Sequence, residues 1–142
     1  MDKTAIVYWS GTGNTEAMAD LVLEGVKSAG GQADVFTADE FTPEKAKKYG
    51  AIAFGCPSMG VEQLEESEFE PMYAAVKPEL SGKSVVLFGS YGWGDGEWMR
   101  NWEDDCSSSG CRLAADPVTA NGAPDDEASK ACVELGKALA QA

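Results

Sequence analysis

The sequence contains no histidine. That excludes a Ser-His-Asp triad and every zinc site that draws on imidazole. Bases are scarce: 11 Lys and Arg stand against 24 Asp and Glu, a formal net charge of −13, with a pI near 4.2. Such a surface repels a phosphate backbone and an anionic bilayer, so neither nucleic acid nor membrane is an expected partner. The four cysteines, Cys56, Cys106, Cys111 and Cys132, include no CxxC pair. Neither a zinc knuckle nor a thioredoxin-type couple is indicated, and reduced thiols are the expectation. No apolar run approaches the roughly 18 residues of a membrane span. The start, MDKTAIVYWS, lacks the basic, apolar and cleavage regions of a signal peptide, so the expected location is the cytoplasm. No linker, low-complexity tract or internal repeat interrupts the chain.

What is present fits one globular domain over residues 1–142. The chain is 44% hydrophobic, which argues against disorder, and its length allows about two-thirds of the unfolded surface to be buried. Strand and helix signals alternate. Residues 4–9 form a short run rich in β-formers. Residues 14–29 carry Ala17, Met18, Leu21, Val22, Gly25, Val26 and Ala29 at helical spacing, and Gly30-Gly31 ends the pattern. A second strand is expected at 34–37, a short helix from Thr42-Pro43, and a third strand at 51–55. Phe69, Met72, Tyr73 and Val76 mark the next helix. SVVLFG at 84–89 is a continuous apolar run, as in a strand buried on both faces of a parallel sheet. Residues 97–107 read as helix, 111–114 as the start of a fifth strand. The last helix starts after Pro124, with acids at 125–127 where the helix dipole favours them. Its inward stripe is Ala128, Ala131, Cys132, Leu135, Ala138 and Leu139. Five strands alternating with helices predict an α/β fold: a doubly wound parallel sheet with helices on both faces. Ligands of such sheets sit beyond the carboxyl ends of the strands.

The unusual loops fall at those ends. After the first strand, Ser10-Gly11-Thr12-Gly13-Asn14-Thr15 leads straight into a helix. Hydroxyls, an amide and two glycines at a helix N-terminus make an anion nest. With no Lys or Arg, it suits a phosphate monoester better than a triphosphate. The patterns GxxxxGK[ST] and GxGxxG are both absent. After the third strand comes Cys56-Pro57-Ser58-Met59-Gly60-Val61-Glu62, where a flexible thioether can lie against a flat ring. After the fourth comes Ser90-Tyr91-Gly92-Trp93-Gly94-Asp95-Gly96, where glycines flank a tryptophan poorly placed for the core and well placed to cover a planar ligand. Two apolar planes suggest a sandwiched heteroaromatic ring. Trp9, Trp98 and Trp102 are assigned to packing. The acid-rich stretch 62–70 (EQLEESEFE) reads as a solvated face that could dock a partner.

Taken together, YWSGTGNT, GCPSMG-x-E, LEESEFEP and FGSYGWGDG-x-WMR resemble the short-chain, clostridial-type flavodoxins, from about Lys3 to the last helix. The strand order 2-1-3-4-5 and a cofactor at its switch point are what that family is known for, and come with the resemblance rather than from the strand pattern. The resemblance implies one non-covalent FMN and a low-potential one-electron carrier, shuttling mainly between semiquinone and hydroquinone, not an enzyme. It implies that Ser10, Thr12, Asn14 and Thr15, with the Gly11 and Gly13 backbone, hold the phosphate, joined by Ser90. It places Trp93 on the outer ring face and Met59 on the inner one, with Ser58 in the same loop. It has Gly60 present its carbonyl to flavin N5 and Glu62 accept the N3 proton. Tyr91, Gly92 and Gly94 fall around the pyrimidine edge, and Thr119–Gly122 forms a third ligand loop. Val61 departs from the aspartate that relatives tend to carry. A β-branched residue suits a left-handed turn position poorly, so Val61 is expected to lower the first midpoint potential. Implied partners are redox proteins with basic docking faces: reductases and hydrogenase- or nitrogenase-type systems. A monomer is expected. The alternatives are an FMN-dependent quinone or NAD(P)H reductase of the same fold, and a signalling receiver domain. The latter requires clustered acids after strand one, where this chain has Trp9-Ser10.

Overall fold

The computed structural model describes residues 3–59, 63–92 and 94–142. In chain order the elements are β1 (Thr4–Tyr8), α1 (Asn14–Ser28), β2 (Ala33–Thr37), α2 (Pro43–Ala46), β3 (Ala51–Gly55) and α3 (Phe69–Val76), then β4 (Ser84–Tyr91), α4 (Glu97–Ser108), β5 (Arg112–Leu113), β6 (Val118–Asn121) and α5 (Asp126–Ala140). All strand pairings are parallel, in the order β2-β1-β3-β4-β5, with β6 also on β4.

Strand alternation sorts the core into two layers. Ala5, Val7, Ile52, Phe54, Val85 and Leu87 point to one face, where α3 and α4 cover them with Phe69, Met72, Tyr73, Trp98 and Trp102. Ile6, Ala53, Val86 and Phe88 point to the other, against Met18 and Val22 of α1 and Leu135 and Leu139 of α5. A strand covered on both faces has no polar side to show, which is why β3 and most of β4 read as unbroken apolar runs. The packing assignment of Trp98 and Trp102 holds, since each is 2% exposed.

Three details differ from the sequence reading. First, β4 runs two residues past Gly89, because β6 offers it partners: Ser90 stands opposite Ala120 and Tyr91 opposite Asn121. Ser90 and Tyr91 therefore end a strand instead of starting a loop. Second, the fifth strand position is filled twice. Val85 pairs with Leu113 and Phe88 with Val118, so a three-residue step on β4 is matched by a five-residue step on its neighbour. The extra chain spans 114–117 and ends at Pro117, which has no N–H to give a ladder. Thr119–Gly122, expected as a loop, is largely β6. Third, Gly136 joins the buried face of α5 and Ala19 that of α1, while Ala17, Ala29, Ala131 and Ala138 are only half-buried.

Candidate functional site

The carboxyl ends of β1, β3 and β4 converge on one side of the sheet. The loop after β1 turns into α1 through Gly13, whose φ of 95° is left-handed and open to glycine at no cost. Ser10 holds this turn closed: its Oγ accepts from the N–H of Gly13 (3.1 Å) and of Glu16 (3.3 Å). The Ala17 N–H goes to Gly13 O at 3.0 Å. The N–H groups of Asn14 and Thr15 open the helix and have no partner among the described residues. Thr15 itself is buried, and its hydroxyl meets that of Ser90 at 2.9 Å, with the Ser90 N–H also directed at it (3.4 Å). The first helical turn is thereby fastened to the end of β4.

The loop after β3 is fastened to the same place. The N–H of Ser58 donates to Ser90 O at 2.9 Å, and Met59 and Gln63 exchange backbone hydrogen bonds of 2.7 and 2.9 Å. Met59 stands 37% exposed, one of two large hydrophobic side chains so exposed among the described residues. Between these segments lies a cleft of about 240 Å³. Gly11, Thr12 and Asn14 line it from the first loop, Pro57, Ser58 and Met59 from the second, and Ser90, Tyr91 and Gly92 from β4 and its end. Trp9 and Gly122 complete it. Among the described residues that line it, no side chain carries a charge.

Eight of the residues expected in the loops after β1, β3 and β4, and Gly122 of the expected third ligand loop, thus share one cleft. Ser10 and Gly13 line a neighbouring cleft of about 350 Å³ with Glu16, Asp39 and Glu68. Thr15 stands behind the main cleft, holding Ser90, and Gly94 is an exposed left-handed glycine just past it (φ 89°). Gly60, Val61, Glu62 and Trp93 lie outside the described residues.

Two assignments need correction. Trp9 is not simply packing. It is half-buried, lies over Gly11 (a Cβ there would come within 3.0 Å of its ring), and its Nε1 donates to Glu68 Oε1 at 3.1 Å. Its position at the carboxyl end of the first strand was the signal that could have found it. Nor is the acid-rich stretch only a solvated face. Glu65 is 5% exposed and caps α3: its carboxylate accepts from the N–H of Ser67, Glu68 and Phe69, each at 2.8 Å, and from the Ser67 hydroxyl. Burial pushes its pKa up, but these hydrogen bonds outweigh that and hold it below the ordinary range. Glu65 orders Glu68, and Glu68 holds Trp9 at the cleft.

The donors present fit a phosphorylated flat cofactor. Unpartnered N–H groups at a helix start, with hydroxyls from Ser10 and Thr12 beside them, are a neutral cradle for phosphate. The cleft offers Trp9, Tyr91 and Met59 to a ring. The overall charge of −13 opposes an anion only weakly at this range, because distant exposed charges are screened over about 10 Å at 0.1 M salt. Hydrogen bonds to a charged group contribute about 1.5–3 kcal/mol each, so the local donors prevail.

Comparison with known proteins agrees. Residues 6–136 match the family model for flavodoxin. The chain is 44% identical to a flavodoxin of Clostridium beijerinckii over 135 residues, covering 95% of this chain and 97% of that one. It is 43% identical to a flavodoxin of Megasphaera elsdenii over 137 residues, covering 96% and 98%. The solution structure of two-electron reduced Megasphaera elsdenii flavodoxin superposes with a TM-score of 0.91 at 42% identity, over 98% of this chain and 99% of that one.

Proposed function

The chain belongs to the flavodoxin family, an electron-transport family whose cofactor is FMN, and we propose that it works as a low-potential one-electron carrier in the cytoplasm. It acts between the one-electron-reduced and two-electron-reduced levels of its flavin, as an electron-transfer protein and not an enzyme. Residues 1–142 form one FMN-binding unit that functions as a monomer. FMN, when bound, supplies the redox chemistry by taking up and releasing electrons.

The chain's own part is to bind, orient and tune. The N–H groups of Asn14 and Thr15, with the Ser10, Thr12 and Asn14 side chains and the Gly11–Gly13 backbone, hold the phosphate. Ser90 and Thr15 keep this cradle in register with β4. Met59 and Trp93 would cover the two ring faces, Ser58 and Gly60 would belong to the same loop contact, Glu62 would accept the ring N–H, and Tyr91, Gly92 and Gly94 would meet its pyrimidine edge. The acids of the adjoining cleft, Glu16, Asp39 and Glu68, disfavour added negative charge more than the distant, screened ones do; for scale, a like charge at 4 Å costs about 1 kcal/mol in water and about 4 at an effective dielectric of 20. That sets the working potential low. Glu16, Asp39 and Glu68 beside the cleft favour partners with basic docking faces, such as reductases and hydrogenase- or nitrogenase-type systems.

The observation that carries this reading is the cleft between the three loops, abutting N–H groups of α1 that have no partner among the described residues. Its test is titration of the flavin-free chain with FMN and with riboflavin, followed by flavin fluorescence. One FMN per chain is expected, with riboflavin bound at least tenfold more weakly. Equal affinities would refute the phosphate cradle.

A further inference from the structure

Two of the four cysteines share one place. Cys106 lies in the last turn of α4, and Cys111 immediately precedes β5. Their Sγ atoms are 3.2 Å apart, and the Cys111 thiol also donates to the Cys106 carbonyl at 3.1 Å. The turn between them is firmly built. The N–H groups of Ser109 and Gly110 bond to the carbonyls of Cys106 (3.1 Å) and Ser107 (3.2 Å), and Gly110 O accepts from the Gly82 N–H at 3.1 Å. Gly110 reverses the chain with a left-handed φ of 89°. One sulfur is therefore fixed by a helix and the other by a sheet edge.

The two thiols are unequal. Cys106 is fully buried, and burial, aided by the adjoining Cys111 thiol, pushes its pKa up. Cys111 is half-buried. Cys56 and Cys132 are each 0% exposed, and neither has a thiol neighbour among the described residues.

We propose that Cys106 and Cys111 are a redox modification site, at which a small peroxide converts the dithiol to an intramolecular disulfide while Cys56 and Cys132 stay reduced. Cys111, as its thiolate, attacks hydrogen peroxide. An S–O bond forms, the O–O bond breaks, and one water leaves with the thiol proton, giving a sulfenic acid. The Cys106 sulfur then attacks that of Cys111. The S–S bond forms, the S–O bond breaks, and hydroxide leaves with the Cys106 proton as a second water. The two sulfurs together lose two electrons and the peroxide gains two. A disulfide needs the sulfurs at about 2.05 Å, about 1.2 Å closer than they now stand. A dithiol reductant reverses the change by exchange. Transient, sensing disulfides are the kind a reducing compartment allows.

Trypsin gives a direct test, because cleavage after Arg100 and Arg112 releases both cysteines in one peptide, residues 101–112. The purified full-length chain is treated with hydrogen peroxide, denatured, alkylated, digested and weighed. The peptide is expected to lose two hydrogens and both alkyl tags. Dithiothreitol restores the tags, and the peptides of Cys56 and Cys132 stay alkylated throughout. In Cys111→Ser, Cys106 is expected to remain alkylated after the same treatment. Two tags on peptide 101–112 after peroxide would overturn the proposal. So would a sulfinic acid at Cys111 beside an alkylated Cys106, or chains cross-linked through Cys111.

Discussion

Glu65 is an acid kept inside the protein by the backbone groups it serves. Three N–H groups and a hydroxyl converge on its two oxygens, and its own N–H reaches Cys56 Sγ at 3.3 Å. Its folded pKa lies below the ordinary glutamate value of about 4.3. Such a group stabilises the fold at pH values above the unfolded pKa, and that contribution is lost as pH falls through the folded one. Glu65→Gln turns one acceptor oxygen into a donor facing other donors. At pH 7 it is expected to cost about 1–3 kcal/mol. The gap to the natural chain should narrow as pH falls past the ordinary glutamate value and close only below the lower folded one, where both side chains are neutral. Urea unfolding at pH 7 and pH 3 measures this, and a gap that does not change with pH would show that the charge contributes nothing. A second residue-scale expectation concerns the ring. Trp93→Ala should weaken FMN by about 1–3 kcal/mol, as removing an aromatic platform does for stacked bases. Unchanged affinity in a fluorescence titration would move the outer stacking partner elsewhere, with Trp9 and Tyr91 as the nearest aromatics at the cleft.

Among the helices of the described residues, α1 and α5 pack most closely, and they do so at two glycines. A Cβ on Gly25 would lie 1.9 Å from Val133 O, and one on Gly136 would lie 2.0 Å from Val22 O. Either alanine must push the helices apart, and overpacking of this kind costs about 1–3 kcal/mol or more. Gly25→Ala should therefore lower the thermal midpoint, by about 4 °C for each kcal/mol in a chain of this size. A midpoint unchanged by calorimetry would mean that the crossing adjusts freely. The contrast between this pair and the strands explains what could be read beforehand. The apolar run 51–55 and the loop from Ser10 to Thr15 declare themselves locally, through side-chain character and spacing, and the structure places them where expected. Gly25 could be read as an inward position, but Gly136 could not, since nothing along one helix records the backbone of another. The extension of β4 over Ser90 and Tyr91 depends on β6, some thirty residues later. Glu65 looks solvated in a run of acids until the chain folds α3 beneath it. Gly11, Thr12, Asn14, Met59 and Gly92 followed from loop chemistry, whereas Ser58, Ser90 and Tyr91 came with the family resemblance. Trp9 followed from neither, because at a strand end a core side chain and a cleft side chain look alike.

At the scale of the whole molecule, charge decides how partners are met. Four ion pairs, Lys47–Glu44, Lys77–Asp105, Arg100–Asp95 and Lys137–Glu134, occur among the described residues. All involve exposed side chains, so they stabilise the fold little, and they leave the net −13 in place as a long-range field. Such a field speeds encounter with an oppositely charged protein by about 10- to 1,000-fold at low salt. Its reach shrinks from about 30 Å at 0.01 M to about 3 Å at 1 M. If the acids around the second cleft steer docking, electron transfer to a basic redox protein should slow at least tenfold over that range of salt. The slope of log rate against ionic strength should fall in Asp39→Asn, beside the cleft, and fall less in Glu134→Gln. Glu134 is 70% exposed and lines neither cleft, so it adds to the net charge without marking a docking site. Stopped-flow traces of the reduced carrier with one basic acceptor, taken across the salt series for all three chains, make the comparison. Equal slopes for the two variants would mean that net charge alone draws partners in. A rate flat from low to high salt would mean that the acids keep the protein soluble and play no part in docking.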